Sequence, residues 1–141
     1  MMSRIALISC VSKKKDYETF AYDLYISSLF KYALQYTQSI NADRIYILSA
    51  LYGLVEINER IKPYNKTLNG MTSKERKAWS QLVLEQMHMN ELDLQNDEFI
   101  ILAGNNYRQY LLEHIKNYQI PLKNLRIGEQ LSYLKRSVSN E

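Results

Sequence analysis

The chain predicts an α/β fold, a three-layer sandwich around a mostly parallel sheet of about four strands. Three observations carry that expectation. Short, nearly continuous apolar runs occupy residues 5–9 (IALIS), 45–49 (IYILS) and 99–103 (FIILA), the pattern of strands covered on both faces. The segments between them carry helical periodicity. A parallel neighbour needs a crossover, usually a helix, and right-handed crossovers leave few topologies.

In chain order, the first run is followed by Cys10, Ser12 and three lysines, Lys13 to Lys15. A helix comes next within residues 23–40, where Leu24, Leu29, Phe30, Ala33, Leu34 and Tyr36 recur near the 3.6-residue period. After the second run, SALYGL (49–54) reads as a strand entering a tight turn at Gly53. Residues 61–71 (IKPYNKTLNGM) form one long irregular connection, and a loop of that length in a compact domain is more often functional than idle. The next helix opens with Thr72 and Glu75 spaced as a capping box. Following the third run, NNYRQYLLEHIKNY (105–118) reads as a helix of about three turns, IPL (120–122) as a short strand, and the segment from Gly128 onward as a terminal helix.

At 141 residues and 46% hydrophobic, residues 1–141 fit a single α/β domain able to bury about two-thirds of its unfolded surface. The net charge of +3 permits an anionic ligand without being the footprint of a nucleic-acid coat. One cysteine allows no internal disulfide, and without a His/Cys cluster no metal site and no cofactor is expected. No apolar run is long enough for a membrane span and no secretory signal is visible, so the expectation is a cytoplasmic protein with no membrane partner. The twelve tyrosines are explained as readily by amphipathic walls as by function.

In open α/β sheets, ligands bind outside the carboxyl ends of the strands. That rule selects Cys10, Ser12 and the lysines after the first run, Ser49, Tyr52 and Gly53 after the second, and Gly104, Asn105, Tyr107 and Arg108 after the third. Each has a plainer reading. Cys10 is either a small buried hydrophobe or a thiol activated by the lysine field. The lysines are either solvated loop or partners of a phosphate or carboxylate. Ser49 either caps its own turn or faces a ligand, and Gly53 is explained by the bend alone. Gly104 admits close backbone approach, Asn105 suits an N-cap, and Arg108 either forks onto an anion or pairs with a surface acid. His88 and His114 lie away from these loops, so no nucleophile–base–acid triad can be assembled from spacing.

Taken together, ISCVSKKKD, AYDLYISSLF, YILSALYGLV, IKPYNKTLNGM, KAWSQLVLEQM, LAGNNYRQYLL and PLKNLRIGEQLSYLK resemble a family of small bacterial and phage proteins labelled YaaA-like, after a peroxide-stress protein. The likeness runs in order from Ile5 to Lys135. The cysteine and serine–lysine start also resembles, more remotely, the catalytic-core domain of archaeosine synthase. These likenesses imply a flavodoxin-like or uracil-DNA-glycosylase-like sandwich handling a nucleobase or nucleotide. They single out Lys14 among the three lysines and promote Asp23, Tyr25 and Ser27, which by periodicity only begin a helix.

Two readings of different class follow. The first is an enzyme acting on a nucleotide, nucleobase or related phosphorylated small molecule, in nucleic-acid base modification on the archaeosine synthase likeness. Lys14 and Arg108 would hold the anion, Tyr52 or Tyr107 would stack, and Asp23, Cys10 or Ser49 would supply acid–base or nucleophilic chemistry. The second is a non-catalytic nucleotide- or nucleic-acid-binding stress-response protein with the same pocket. A protein-interaction module presenting exposed tyrosines is a third. The oligomeric state is not fixed by the sequence.

Overall fold

The computed structural model describes residues 2–139, so the outermost residues of the 1–141 range lie outside the described part. The elements run β1 (Arg4–Ser9), β2 (Thr19–Phe20), α1 (Ala21–Leu24), α2 (Ser28–Ser39), β3 (Arg44–Ser49), β4 (Gly53–Glu56) and β5 (Arg60–Ile61). They continue through α3 (Ser73–Met89), β6 (Glu98–Leu102), α4 (Asn105–Arg108), a 3-10 turn (Leu112–His114), β7 (Asn117–Gln119) and α5 (Ile127–Ser139).

The fold is mixed α/β, built on a five-stranded sheet in the order β4-β3-β1-β6-β7. Strands β3, β1, β6 and β7 are mutually parallel, while β4 returns antiparallel along β3. The three apolar runs are the three central strands, each within one residue of the expected bounds. Their centres are buried almost completely: Ile5, Leu7, Ile47, Leu48 and Phe99 expose 0% of their surface. Each such side chain contributes about 1.5–3 kcal/mol through burial, which fixes the register of the sheet against slippage.

Two long helices begin where local chemistry dictates. Ser27 caps α2 by accepting a hydrogen bond from the Phe30 amide. Thr72 and Glu75 form the expected reciprocal capping box at α3. On α3 the buried residues Trp79, Val83 and Met87 recur every four positions, one stripe on one face. The Trp79 indole N–H donates to the Ser49 carbonyl, tying that stripe to the end of β3. Helix α5 packs on α2, with the rings of Tyr36 and Tyr133 at 6.1 Å.

Three expectations are corrected. The sheet has five strands rather than about four, because the turn at Gly53 returns as β4. The three-turn helix over 105–118 is one turn of α4, a 3-10 turn and then β7, since Ile115 is already extended. Its apolar spacing suits a helix, but the β6 edge recruits Asn117–Gln119 as a ladder partner, and tertiary pairing overrides local periodicity. The IPL segment is consequently not a strand; Ile120 leads into a turn over 121–124.

Candidate functional site

The chain leaves β1 toward β3 on one side, and leaves β6 toward β7 on the other. Adjacent parallel strands whose connections diverge leave a crevice between them at their carboxyl ends. There the structure has a cleft of about 610 Å3, the size of a small-molecule site. Its floor is Ile8 to Ser12 from β1 and Ile101 to Gly104 from β6. One wall is apolar, made by Leu29, Phe30 and Ala33 of α2 with Ile120, Leu122 and Ile127 of the C-terminal segment. The opposite wall is polar, made by Asn65, Lys66, Thr67 and Asn69 of the long connection together with α4.

The electrostatics are one-sided. Lys14, Lys66 and Arg108 line the cleft, and among the described residues no aspartate or glutamate does. None of these three cations makes a salt bridge among the described residues. Arg108 spends one N–H on the Ala103 carbonyl at 2.8 Å, which steers the guanidinium along the rim. With the carboxylates elsewhere, the cleft is a concave positive surface.

The three consecutive lysines are sorted by backbone geometry. Lys14 forms an antiparallel bridge with Tyr25, flanked by hydrogen bonds from Lys15 N to Leu24 O and from Ile26 N to Lys13 O. Side chains alternate in an extended segment, so Lys14 turns into the cleft while its neighbours turn away. Lys15 pairs with Asp23 at 2.6 Å and Lys13 is exposed. Partial burial holds the Lys14 ammonium below the usual lysine value, with Cys10 acting in the opposite direction.

Beneath Lys14 lies a hydrogen-bonded tyrosine cluster centred on Tyr64. The Lys14 ammonium sits 4.4 Å from the Tyr64 ring centroid and 5.7 Å from that of Tyr25. The Tyr64 hydroxyl accepts from Ser49 Oγ at 2.8 Å and shares a 2.7 Å hydrogen bond with the Tyr25 hydroxyl. Tyr52 packs edge-on against the same ring at 5.4 Å. Burial first, then the neighbouring Cys10, raises the Tyr64 phenol far above its usual value; burial likewise raises Tyr25. Both remain neutral phenols across the physiological range.

On the other side of the cleft, Tyr107 is 7% exposed and its hydroxyl accepts from the Leu68 amide at 3.3 Å. That contact pins the far end of the long connection, as the Tyr64 cluster pins its near end. The Cys10 sulfur lies 3.6 Å from the same hydroxyl. Burial, then Cys10, pushes the Tyr107 phenol up to about 12.

Of the residues expected from sequence, Cys10, Ser12, Lys14, Gly104, Asn105, Tyr107 and Arg108 line the cleft together. Tyr25, Ser49 and Tyr52 do not line it but converge on Tyr64 behind Lys14. Asp23 is exposed and held by Lys15, and Ser27 is engaged as the α2 cap. Ser49 accepts from the Leu51 and Tyr52 amides, the turn cap that was one of its two readings. Gly53 has φ +79° and backs onto Gln86, whose side chain accepts from the Leu54 amide and donates to the Tyr52 carbonyl. The bend accounts for that glycine. At α4 the N-cap is Gly104 rather than Asn105, which is the first helical residue. His88 and His114 lie outside the cleft.

Sequence reading flagged the 61–71 connection as functional but named none of its residues as ligands. Lys66, Thr67 and Asn69 line the cleft and Tyr64 stands behind Lys14, and the signal for them is the unusual length of that loop. Among the described residues, no group of three or more His, Cys, Asp or Glu side chains is placed to hold a metal ion. No helix there is long and apolar enough to cross a membrane.

Residues 5–136 match a family of unknown function, DUF6884, and the chain belongs to that family. No curated protein and no solved structure matches it. The comparisons thus lend no support to the YaaA-like label or to the archaeosine synthase likeness.

Proposed function

We propose that the cleft binds an anionic, nucleotide-sized ligand and that the protein acts on a nucleotide, a nucleobase or a related phosphorylated small molecule. The observation that carries this reading is the charge imbalance of the cleft: among the described residues, three cations that make no salt bridge and no carboxylate line the crevice between β1 and β6. Lys14 and Arg108 are half-buried and Lys66 is exposed at the mouth, so like charges are gathered at one site with two of them partly withdrawn from water, which is unfavourable unless a partner arrives. A phosphate supplies that partner through charge-assisted hydrogen bonds. The apolar wall favours a ligand with a flat or apolar body over inorganic phosphate or a bare sugar phosphate.

The parallel part of the sheet, in the order β3-β1-β6-β7, follows the flavodoxin-like sequence of strands. It supports the three-layer, flavodoxin-like or glycosylase-like expectation and the nucleotide chemistry that goes with it. Within the enzyme reading, Cys10 is the cleft-lining nucleophile, because Asp23 and Ser49 are engaged elsewhere. A non-catalytic nucleotide-binding role is the second reading. Its supporting observation is that, among the described residues, the Cys10 sulfur has the Tyr107 hydroxyl as its hydrogen-bond partner and no imidazole lines the cleft to take its proton.

The test is calorimetric titration with nucleobases and with nucleoside mono-, di- and triphosphates, followed by product analysis of any ligand that binds. Nucleotide affinity should fall with salt and drop about tenfold or more in Lys14→Met and Arg108→Met, since each removes a charged hydrogen bond. Turnover lost in Cys10→Ser with binding retained would favour the enzyme. Binding without turnover would favour the second reading. Nucleotide binding that is absent, or indifferent to both cations, would remove the proposal.

A further inference from the structure

We infer that Tyr64 is a positioning residue for Lys14: its ring is a fixed platform that holds the ammonium at the cleft. The inference rests on the reading of the cleft as an anion site and adds to it a mechanism of pre-organisation. A lysine on a four-carbon stem carries large rotamer freedom, and fixing it at the moment of binding weakens affinity. Here the ammonium already lies over a π face at 4.4 Å, with no carboxylate to draw it away. A ring face attracts a cation without neutralising it, so Lys14 is oriented and remains free to meet an anion. A carboxylate in the same place would have consumed the charge.

The platform is itself fixed. Tyr64 lies in an irregular connection, where a ring would ordinarily be mobile. Its hydroxyl is held by Ser49 Oγ at 2.8 Å and by the Tyr25 hydroxyl at 2.7 Å. Ser49 is 0% exposed and its oxygen is locked by the amides of Leu51 and Tyr52. Tyr25 is 1% exposed, and its backbone bridges Lys14 directly. The end of β3 therefore reaches the Lys14 side chain through Tyr64, while the Tyr25 segment holds the Lys14 main chain. This arrangement gives Ser49 and Tyr25 a place in the site although neither lines the cleft.

Inorganic phosphate is the probe, with its dissociation constant measured by 31P NMR line shift on the full chain. Thermal midpoints serve as the control for folding. In the wild type, the Lys14 ε-methylene protons should resonate upfield of those of the other lysines because they lie over the ring. Tyr64→Leu should abolish that shift and weaken phosphate binding about fivefold, the scale of a cation–π contact. Tyr64→Phe, which keeps the face and loses the hydroxyl, should retain most of the shift and weaken binding by about half as much. In a Lys14→Met background, Tyr64→Leu should change phosphate affinity no further.

Phosphate binding lost in Lys14→Met but unchanged in Tyr64→Leu would overturn the platform and leave the anion site standing. Additive losses would also overturn it, since Tyr64 would then act through the shape of the loop. An unshifted Lys14 resonance in the wild type would do the same. A wild type that binds neither inorganic phosphate nor a nucleoside monophosphate followed by the same 31P shift would remove the anion site and this inference with it.

Discussion

At the amino end of β1, Arg4, Asp43, Asp97 and Glu98 are all engaged. Arg4 pairs with Glu98 at 2.7 Å and donates to the Ile40 carbonyl, while its amide donates to Asp43. Asp97, 6% exposed, accepts from the amides of Ser3 and Asp93, both at 2.9 Å. At the carboxyl end of the same strand, Lys14, Lys66 and Arg108 face a cleft without a carboxylate. The first end uses its polar groups to close the sheet and hold β3 and β6 in register. The second leaves its charge unmatched, so its interaction energy is available to a ligand. Stability and binding capacity are thus separated along the strand direction by where the acids are placed.

That separation can be broken or sharpened by substitution, with the largest effect expected at the closed end. Asp97→Ala strands two backbone N–H groups and should cost about 3 kcal/mol in urea unfolding, with phosphate affinity unchanged. A parallel loss of affinity would mean that the two ends are not independent. Gly53→Ala tests whether everything near the carboxyl end belongs to the site. Its φ is +79° and an added Cβ would lie 2.2 Å from Gln86 Oε1, so about 2 kcal/mol of stability should be lost while binding stays intact. Lys66→Glu, at an exposed position, should change stability by less than about 0.5 kcal/mol and lower nucleotide affinity about tenfold. A stability change without an affinity change would reverse the assignment of that lysine.

The gentlest effect is the response to alkali. Burial first, and Cys10 second, raise the Tyr107 phenol to about 12. Below the usual phenol value of about 10, both folded and unfolded chains hold the proton and the contribution to stability is complete. Above it the unfolded chain ionises first, so stability should fall as pH rises from about 10 toward 12. Urea unfolding at pH 8 and pH 11, with tyrosinate absorbance followed alongside, reads both halves of this. Tyr107→Phe should lessen the decline, to which the buried Tyr25 and Tyr64 phenols also contribute, and an unaltered slope in that variant would place its origin wholly elsewhere.

The central strands were legible because burial on both faces demands continuous apolar residues, and IALIS, IYILS and FIILA have no other economical reading. The α3 capping box was legible because Thr72 and Glu75 act through local hydrogen bonds. Strand β4 was hidden because GLVE is four residues long and its pairing with β3 is set by the turn, not by its own composition. The 105–118 segment misled for a related reason: its periodicity is helical, while its fate was decided by the open edge of β6.

The sequence by itself determined which strands form the core, that their carboxyl ends carry polar residues, and that a long connection follows residue 61, the structure taking Ile61 itself into β5. Such features depend on residue type and on near neighbours along the chain. The family likeness already singled out Lys14, but only the tertiary structure decided how the bridge to Tyr25 turns it into the cleft, that no acid among the described residues accompanies the three cations, and that Tyr64 stands between Ser49 and Lys14. Those outcomes depend on contacts between residues well separated in sequence, as between Ser49 and Tyr64 or Tyr25 and Tyr64 or Thr67 and Tyr107. No local pattern records them, because packing of the sheet brings those residues together.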